Sequence, residues 1–367
     1  MKRARWKWRS LATLIPLAWG CSLITSLDGL TGGGASDDAG VEGGTDAQIL
    51  DAGFDSGDSG GNPLTPRAWH QVSDGGPPAR HSARMVYDEA RQVSVLFGGS
   101  GPYVASDDET WEWNGVSWSQ PTVNQDAPGG KAFGMAYDTD DHVTLLFGGT
   151  SGSNSMWQWS GGPDWQSPGP TGDPPLVNWV TAMTYDSARH VAVLYSGAQQ
   201  DGAGLLHDVW EWNASSGWVE RNLSVLPQPR AGQALVYDSA RSRVVLFGGY
   251  DPSVDHVTAD LWEYDGTTWT ESNAAQPPAR LAPCAAYDAY RRVTVIFGGR
   301  TDDESTSLAD TWEWDGTTWR PGPAGPPARR TCGMAYDAAR NEIVMFGGSP
   351  GRHNDTSDAL GDTWIYQ

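Results

Sequence analysis

Lysine is almost missing from this 367-residue chain: Lys2, Lys7 and Lys131 are the whole set, so 21 of the 24 basic residues are arginine. Against 45 acidic residues the formal net charge is -21. A surface of that sign repels polyanions, which excludes nucleic acid as a partner. Cysteine is equally scarce, and Cys21, Cys284 and Cys332 are too few for a disulfide-framework domain. No window repeats its apolar residues with a helical period. The seven histidines form no HExxH, HxH or Cys–His grouping and no GxSxG element is present. The sequence therefore offers no metal ligands, no cofactor site and no catalytic nucleophile. What it has in excess is tryptophan, 20 residues of it, with 46 glycines and 24 prolines.

The first 20 residues read as a signal peptide. Lys2, Arg3, Arg5, Lys7 and Arg9 form a basic n-region, and Leu11 to Gly20 is a ten-residue apolar run, too short to cross a ~30 Å hydrocarbon core. Cys21 follows at once. The stretch LAWGC resembles a bacterial lipobox, with Ala18 where leucine is expected; the resemblance implies acylation of Cys21, and Ser22 after it suits an outer membrane. Ala18-Trp19-Gly20 also satisfies ordinary signal peptidase, which would leave Cys21 a free thiol. Residues 21–63 are rich in Gly, Asp and Ser with almost no aromatics. They form an expected disordered acidic tether, and DAGFDSGDSGG lacks the terminal Glu of a calcium loop.

From residue 64 the chain repeats itself. Tyr-Asp recurs at Tyr87, Tyr137, Tyr185, Tyr237, Tyr287 and Tyr336, at intervals of 50, 48, 52, 50 and 49 residues. After each comes an apolar run closed by glycine (VSVLFGG, VTLLFGG, VAVLYSG, VVLFGG, VTVIFGG, IVMFGG). A Trp-rich segment follows (TWEWNG, MWQWSG, VWEWNA, LWEYDG, TWEWDG, TWIYQ). Trp118, Trp165, Trp218, Trp269 and Trp319 close the first five copies. Short β-branched and aromatic runs separated by turn residues are strands. This pattern resembles the kelch repeat over residues 67 to 367. The resemblance implies an all-β, six-bladed β-propeller occupying residues 64–367, with strands a to d in each blade. Residues two apart on a strand share a face, so the Trp-x-Trp pairs are expected to pack against the neighbouring blade rather than to form a sugar platform. The sixth copy stops after strand c, and RAWHQVS (67–73) supplies the spare strand. The ring is therefore expected to close by pairing that N-terminal strand into the last blade.

In such a ring the b–c and d–a loops share one face. Here they vary (SGPYVASDDE, TSGSNS, AQQDGAGLLH, YDPSVDHVTA, RTDDESTSLA, SPGRHNDTSDALG), whereas the turns of the other face hardly change. Variable loops on a rigid frame mark the candidate binding face. Seven residues before each Tyr stand Arg80, Gly130, Asn178, Arg230, Arg280 and Arg329, joined by His81, Lys131, Trp179 and Arg330. Arg80, His81, Lys131, Trp179, Arg230, Arg280, Arg329 and Arg330 form a candidate arc for a carboxylate or acidic sugar. A structural role competes. Glu109, Asp260, Asp310 and Asp362 precede the Trp pair in every blade that has the arginine, which fits ion pairs joining strands a and c; Asp208 stands without one. Cys284 and Cys332, on neighbouring inner strands and offset by one residue, are either a disulfide or two buried thiols.

The expected function is non-catalytic: a monomeric, exported, lipid-anchored envelope module that binds a protein or an extracellular glycan through the loop face. Some kelch propellers are enzymes, and the resemblance implies an alternative, a sugar mutarotase using Arg80, His81 and Glu109 as an acid–base site.

Overall fold

The computed structural model describes residues 67–367 apart from 73–75, 105–107, 125–126, 128–129, 131–132, 149–153, 170–171, 173, 176, 180–181, 200–203, 303–306 and 352–355. The leader, Cys21 and the tether lie outside the described residues, as does Lys131. Six antiparallel sheets form a ring, so the chain is a six-bladed β-propeller. Among the described residues the one helical turn is Thr356–Asp358.

Strand a of the six blades runs Arg84–Asp88, Gly134–Asp138, Ala182–Asp186, Ala234–Asp238, Cys284–Asp288 and Gly333–Asp337. Each lies beside strand a of the next blade, and the sixth returns to the first. Strand b carries the apolar run. In blade 1 it is Val93–Phe97, with Val95, Leu96 and Phe97 fully buried, because blades cover it on both faces. The glycine pairs that follow take backbone conformations that other residues resist, with φ of 68° at Gly98 and 90° at Gly99. A Cβ on Gly298 would stand 2.1 Å from the Arg329 carbonyl of the next blade. The strand c–d turns of blades 4 and 5 are closed by Asp265 and Asp315, each accepting from two backbone N–H groups.

The ring closes as expected. Trp69–Val72 pairs with Thr363–Tyr366, in the register Trp69 opposite Tyr366. The Trp69 indole stacks 4.9 Å from Tyr366, lies 5.4 Å from Phe297 of blade 5, and donates to Thr311 Oγ1 at 2.9 Å.

Six apolar clusters fill the six blade junctions. In each, a strand c aromatic and the strand d Trp meet a Phe or Tyr of the preceding blade. Trp218 against Phe147 at 4.6 Å and Trp319 against Phe247 at 5.0 Å are two instances. These rings are core, each burying on the order of 150–250 Å². Where the preceding blade offers a threonine, the strand d indole bonds to it: Trp118 to Thr363 and Trp165 to Thr110.

Two blades depart from the repeat. In blade 2 the expected strand d shrinks to a single bridge, Gln158 opposite Gln166. The bridge keeps the register of the other blades, with Trp159 opposite Trp165 as Trp113 is opposite Trp118, and the turn between them carries Pro163, which has no N–H to give. In blade 3, strands b and c lengthen to Val191–Gln199 and Leu205–Asn213, and a short strand, Val177–Trp179, pairs onto the extension.

Candidate functional site at the channel mouth

The four rim arginines are buried: Arg80 and Arg230 are 1 % exposed, Arg280 and Arg329 0 %. Arg280 shows the arrangement. Its Nη1 donates to Asp310 Oδ1 at 2.8 Å and to the Gly298 carbonyl at 3.0 Å; Nη2 donates to Asp310 Oδ2 at 2.9 Å, and Nε to the Pro278 carbonyl at 3.0 Å. Arg230 with Asp260 and Arg329 with Asp362 repeat this. Arg80 reaches Glu109 through Nη2 at 2.5 Å. The arginine backbone also joins blades, since its carbonyl accepts from the second glycine N–H of the preceding blade, Gly299 to Arg329 at 2.9 Å for example. Arg80, Arg230, Arg280 and Arg329 thus act as cross-links between strands a and c, with four of the five N–H donors of Arg280 engaged.

His81 and Arg330 are buried as well, at 0 % and 2 %, and their backbones bridge to Ser100 and Ser349. Trp179 contributes its backbone to the short strand that pairs with Ala198; its side chain, like Lys131, lies outside the described set. The members of the mutarotase trio are bonded to their neighbours. Glu109 Oε2 accepts from both Arg80 and Trp111, and His81 Nδ1 lies 3.0 Å from Ser82 Oγ.

The acids beside the Trp pair respond to their partners. Burial pushes the carboxyls of Asp260, Asp310 and Asp362 up, and the facing arginine more than reverses it, leaving all three below the ordinary carboxylate range. Asp208 keeps the same indole bond, from Trp210 at 2.8 Å, but Asn178 replaces its arginine. Burial then wins, and its carboxyl is raised.

Above the channel, residues 82, 232, 282 and 331 turn through left-handed backbone (φ 60°, 65°, 53° and 56°). That turn aims N–H groups sideways: Ala282 N–H donates to the Gly232 carbonyl at 2.7 Å, Thr331 to Ala282 at 3.1 Å, and Ser82 to Thr331 at 2.8 Å. A backbone collar thus runs across blades 4, 5, 6 and 1. Below it the axial channel has two parts. One, about 100 Å³, is ringed by the starts of the six strand a segments. The other, about 490 Å³, opens towards the a–b turns and is lined by the six repeat tyrosines. Their hydroxyls tie each blade to its neighbour: Tyr137 donates to Asp88 at 3.0 Å, while Tyr87 accepts from Ala339 N–H and Tyr336 from Tyr290 N–H. Burial, then neighbouring aspartate, pushes the Tyr87 hydroxyl up to about 12, so it stays protonated.

A second set of arginines went unread in the sequence. Arg91, Arg189, Arg241, Arg291 and Arg340 pair with the Asp three residues earlier, and all but Arg340 also pair with a strand c glutamate. Arg91 and Arg189 lie over the Trp159 and Tyr264 rings of the next blade. The signal was available in YDEAR, YDSAR, YDSAR, YDAYR and YDAAR, against YDTDD in blade 2. Cys284 and Cys332 form a disulfide with a Cα separation of 5.6 Å. Among the described residues no group of His, Cys, Asp or Glu is placed to hold a metal.

No protein-family description and no curated protein matches the sequence. Among solved structures, one titled "Structure of YjhT" is similar with a TM-score of 0.57 and 12 % identity, covering 78 % of this chain and 95 % of that one. At that identity the likeness concerns the propeller fold alone.

Proposed function

We propose that this chain is a kelch-type recognition module, non-catalytic and monomeric, that binds a protein or an extracellular glycan through the variable b–c and d–a loops. One contrast carries the reading. The repeated polar residues of the ring, Arg with Asp at the mouth and Tyr with Asp at the turns, are spent on one another, whereas the loops of one face share neither length nor composition. A frame satisfied internally leaves discrimination to its loops. Tyr103 and Val254, 81 % and 55 % exposed, stand in the b–c loops of blades 1 and 4. The occupied Glu109 and buried His81 argue against turnover.

The test is a glycan and envelope-protein binding screen of the full chain beside two double variants. Tyr103→Asp/Val254→Asp alters the loop face, and Val116→Asp/Tyr290→Asp alters the turn face, where both residues are also exposed. Binding lost only in the first pair supports the proposal. Binding lost only in the second would move the site to the other face.

The same proposal places the module in a bacterial cell envelope, held in the outer membrane by lipid on Cys21. A basic n-region, a ten-residue apolar run and a cysteine support it, and the Cys284–Cys332 bond suits an oxidising compartment. Labelled palmitate should enter the full chain and be lost in Cys21→Ser; equal labelling would overturn the anchor.

A further inference from the structure

Three residues before each repeat tyrosine, strand a carries Arg84, Gly134, Ala182, Ala234, Cys284 and Gly333. Five of these are small. The sixth is an arginine, and it lines the 100 Å³ axial cavity that the other five leave open. Its hydrogen bonding is unlike that of any rim arginine. Nε donates to the Phe133 carbonyl of blade 2 at 3.3 Å. Among the described residues no carboxylate pairs with Arg84, and neither Nη atom has a protein partner. By contrast, Arg80, four residues earlier, holds a carboxylate and two carbonyls.

Arg84 is part-exposed and lines that cavity; desolvation lowers its pKa, yet a guanidinium remains charged at neutral pH. The cavity far exceeds the ~10–15 Å³ that one water needs. Its walls are otherwise apolar side chains, including Met85, Met135, Met183 and Met334, and one polar group, Gln233. Gln233 Nε2 donates to the Tyr195 carbonyl at 3.2 Å, and its buried Oε1 accepts nothing.

We propose that the axial cavity binds a small monocarboxylate, taken by the free Nη edge of Arg84. One guanidinium balances one negative charge, which suits a monoanion better than a doubly charged phosphate. The site is independent of whatever the loop face binds.

The test titrates the full chain with acetate and inorganic phosphate by calorimetry at constant ionic strength, in wild type and Arg84→Met. Wild type should bind acetate saturably and phosphate more weakly. Arg84→Met, which nearly keeps the side-chain volume, should weaken acetate at least tenfold. Without ligand Arg84→Met should melt no lower than wild type, because neither Nη atom holds a protein group. Absence of acetate binding by wild type, equal binding by Arg84→Met, or preference for phosphate would each overturn the proposal. A melt of Arg84→Met well below wild type without ligand would also overturn it, by showing that the guanidinium already has a protein partner.

Discussion

Blades 4, 5, 6 and 1 are stitched at both rims; blades 2 and 3 are not. In the first group each mouth carries an arginine buried against a carboxylate, and the collar of residues 232, 282, 331 and 82 runs over it. At the same positions blades 2 and 3 carry Gly130 and Asn178. On the turn face, blade 2 has Asp141 where its neighbours have the stapling arginine. Its junction with blade 3 is held there by Asp140, which meets the Tyr185 hydroxyl and His190. The apolar cluster of that junction is as buried as the others. A propeller can thus keep its packing in all six junctions while dropping polar cross-links from some. The difference teaches that tryptophan packing specifies the ring and that the arginines fasten it.

The comparison breaks most visibly at the fastened side. Arg329→Ala should cost about 3–5 kcal/mol in chemical denaturation, because it strands Asp362 half-buried without its partner. A loss under about 1 kcal/mol would mean that the fastening is decorative. Next come two acids that should differ in sign. The folded carboxyl of Asp260 lies below its unfolded value of 3.8, so its contribution is present above that pH and is lost as pH falls through the folded value. Asp208 lies above 3.8, so its shift opposes folding once pH rises past the folded value and vanishes in acid. At pH 7 Asp260→Asn should therefore lower Tm and Asp208→Asn raise it by about 2 °C; at pH 3 the gain from Asp208→Asn should disappear. Like signs for the two at pH 7 would contradict the assignment. A smaller effect is expected in hydrogen exchange, where strand a amides of blades 2 and 3 should exchange faster than those of blades 5 and 6; uniform rates would erase the distinction. Smallest is His190→Ala, worth about 0.5 kcal/mol or less, because both partners of that contact are largely exposed.

Fold and closure were legible because they depend on apolar periodicity. Six Tyr-Asp dipeptides count the blades, and Trp69 before the first strand a, with Gln367 just after the last strand c, dictates the closing pair. The spacing of Asp310 and Arg280 likewise suggested an ion pair, though not that burial would consume the guanidinium. Three features were harder. Arg84 needed the six strand a segments aligned on their tyrosines, where it stands alone among small residues. The Asp88–Arg91 staples hid inside what reads as ordinary turn chemistry. The shortened strand d of blade 2 has no mark in its spacing, since blade 3 has the same five residues between its Trp pair and keeps its strand d.

The central claim is that the rim arginines hold the ring together instead of holding a ligand. A double-mutant cycle on Arg280 and Asp310, with stability read by denaturation of the full chain, tests it most directly. The account predicts a coupling of about 2 kcal/mol or more, with Arg280→Ala/Asp310→Ala less damaging than the sum of the single changes. A coupling near zero, with both single variants melting as wild type, would contradict it and return the arginine arc to the list of binding surfaces.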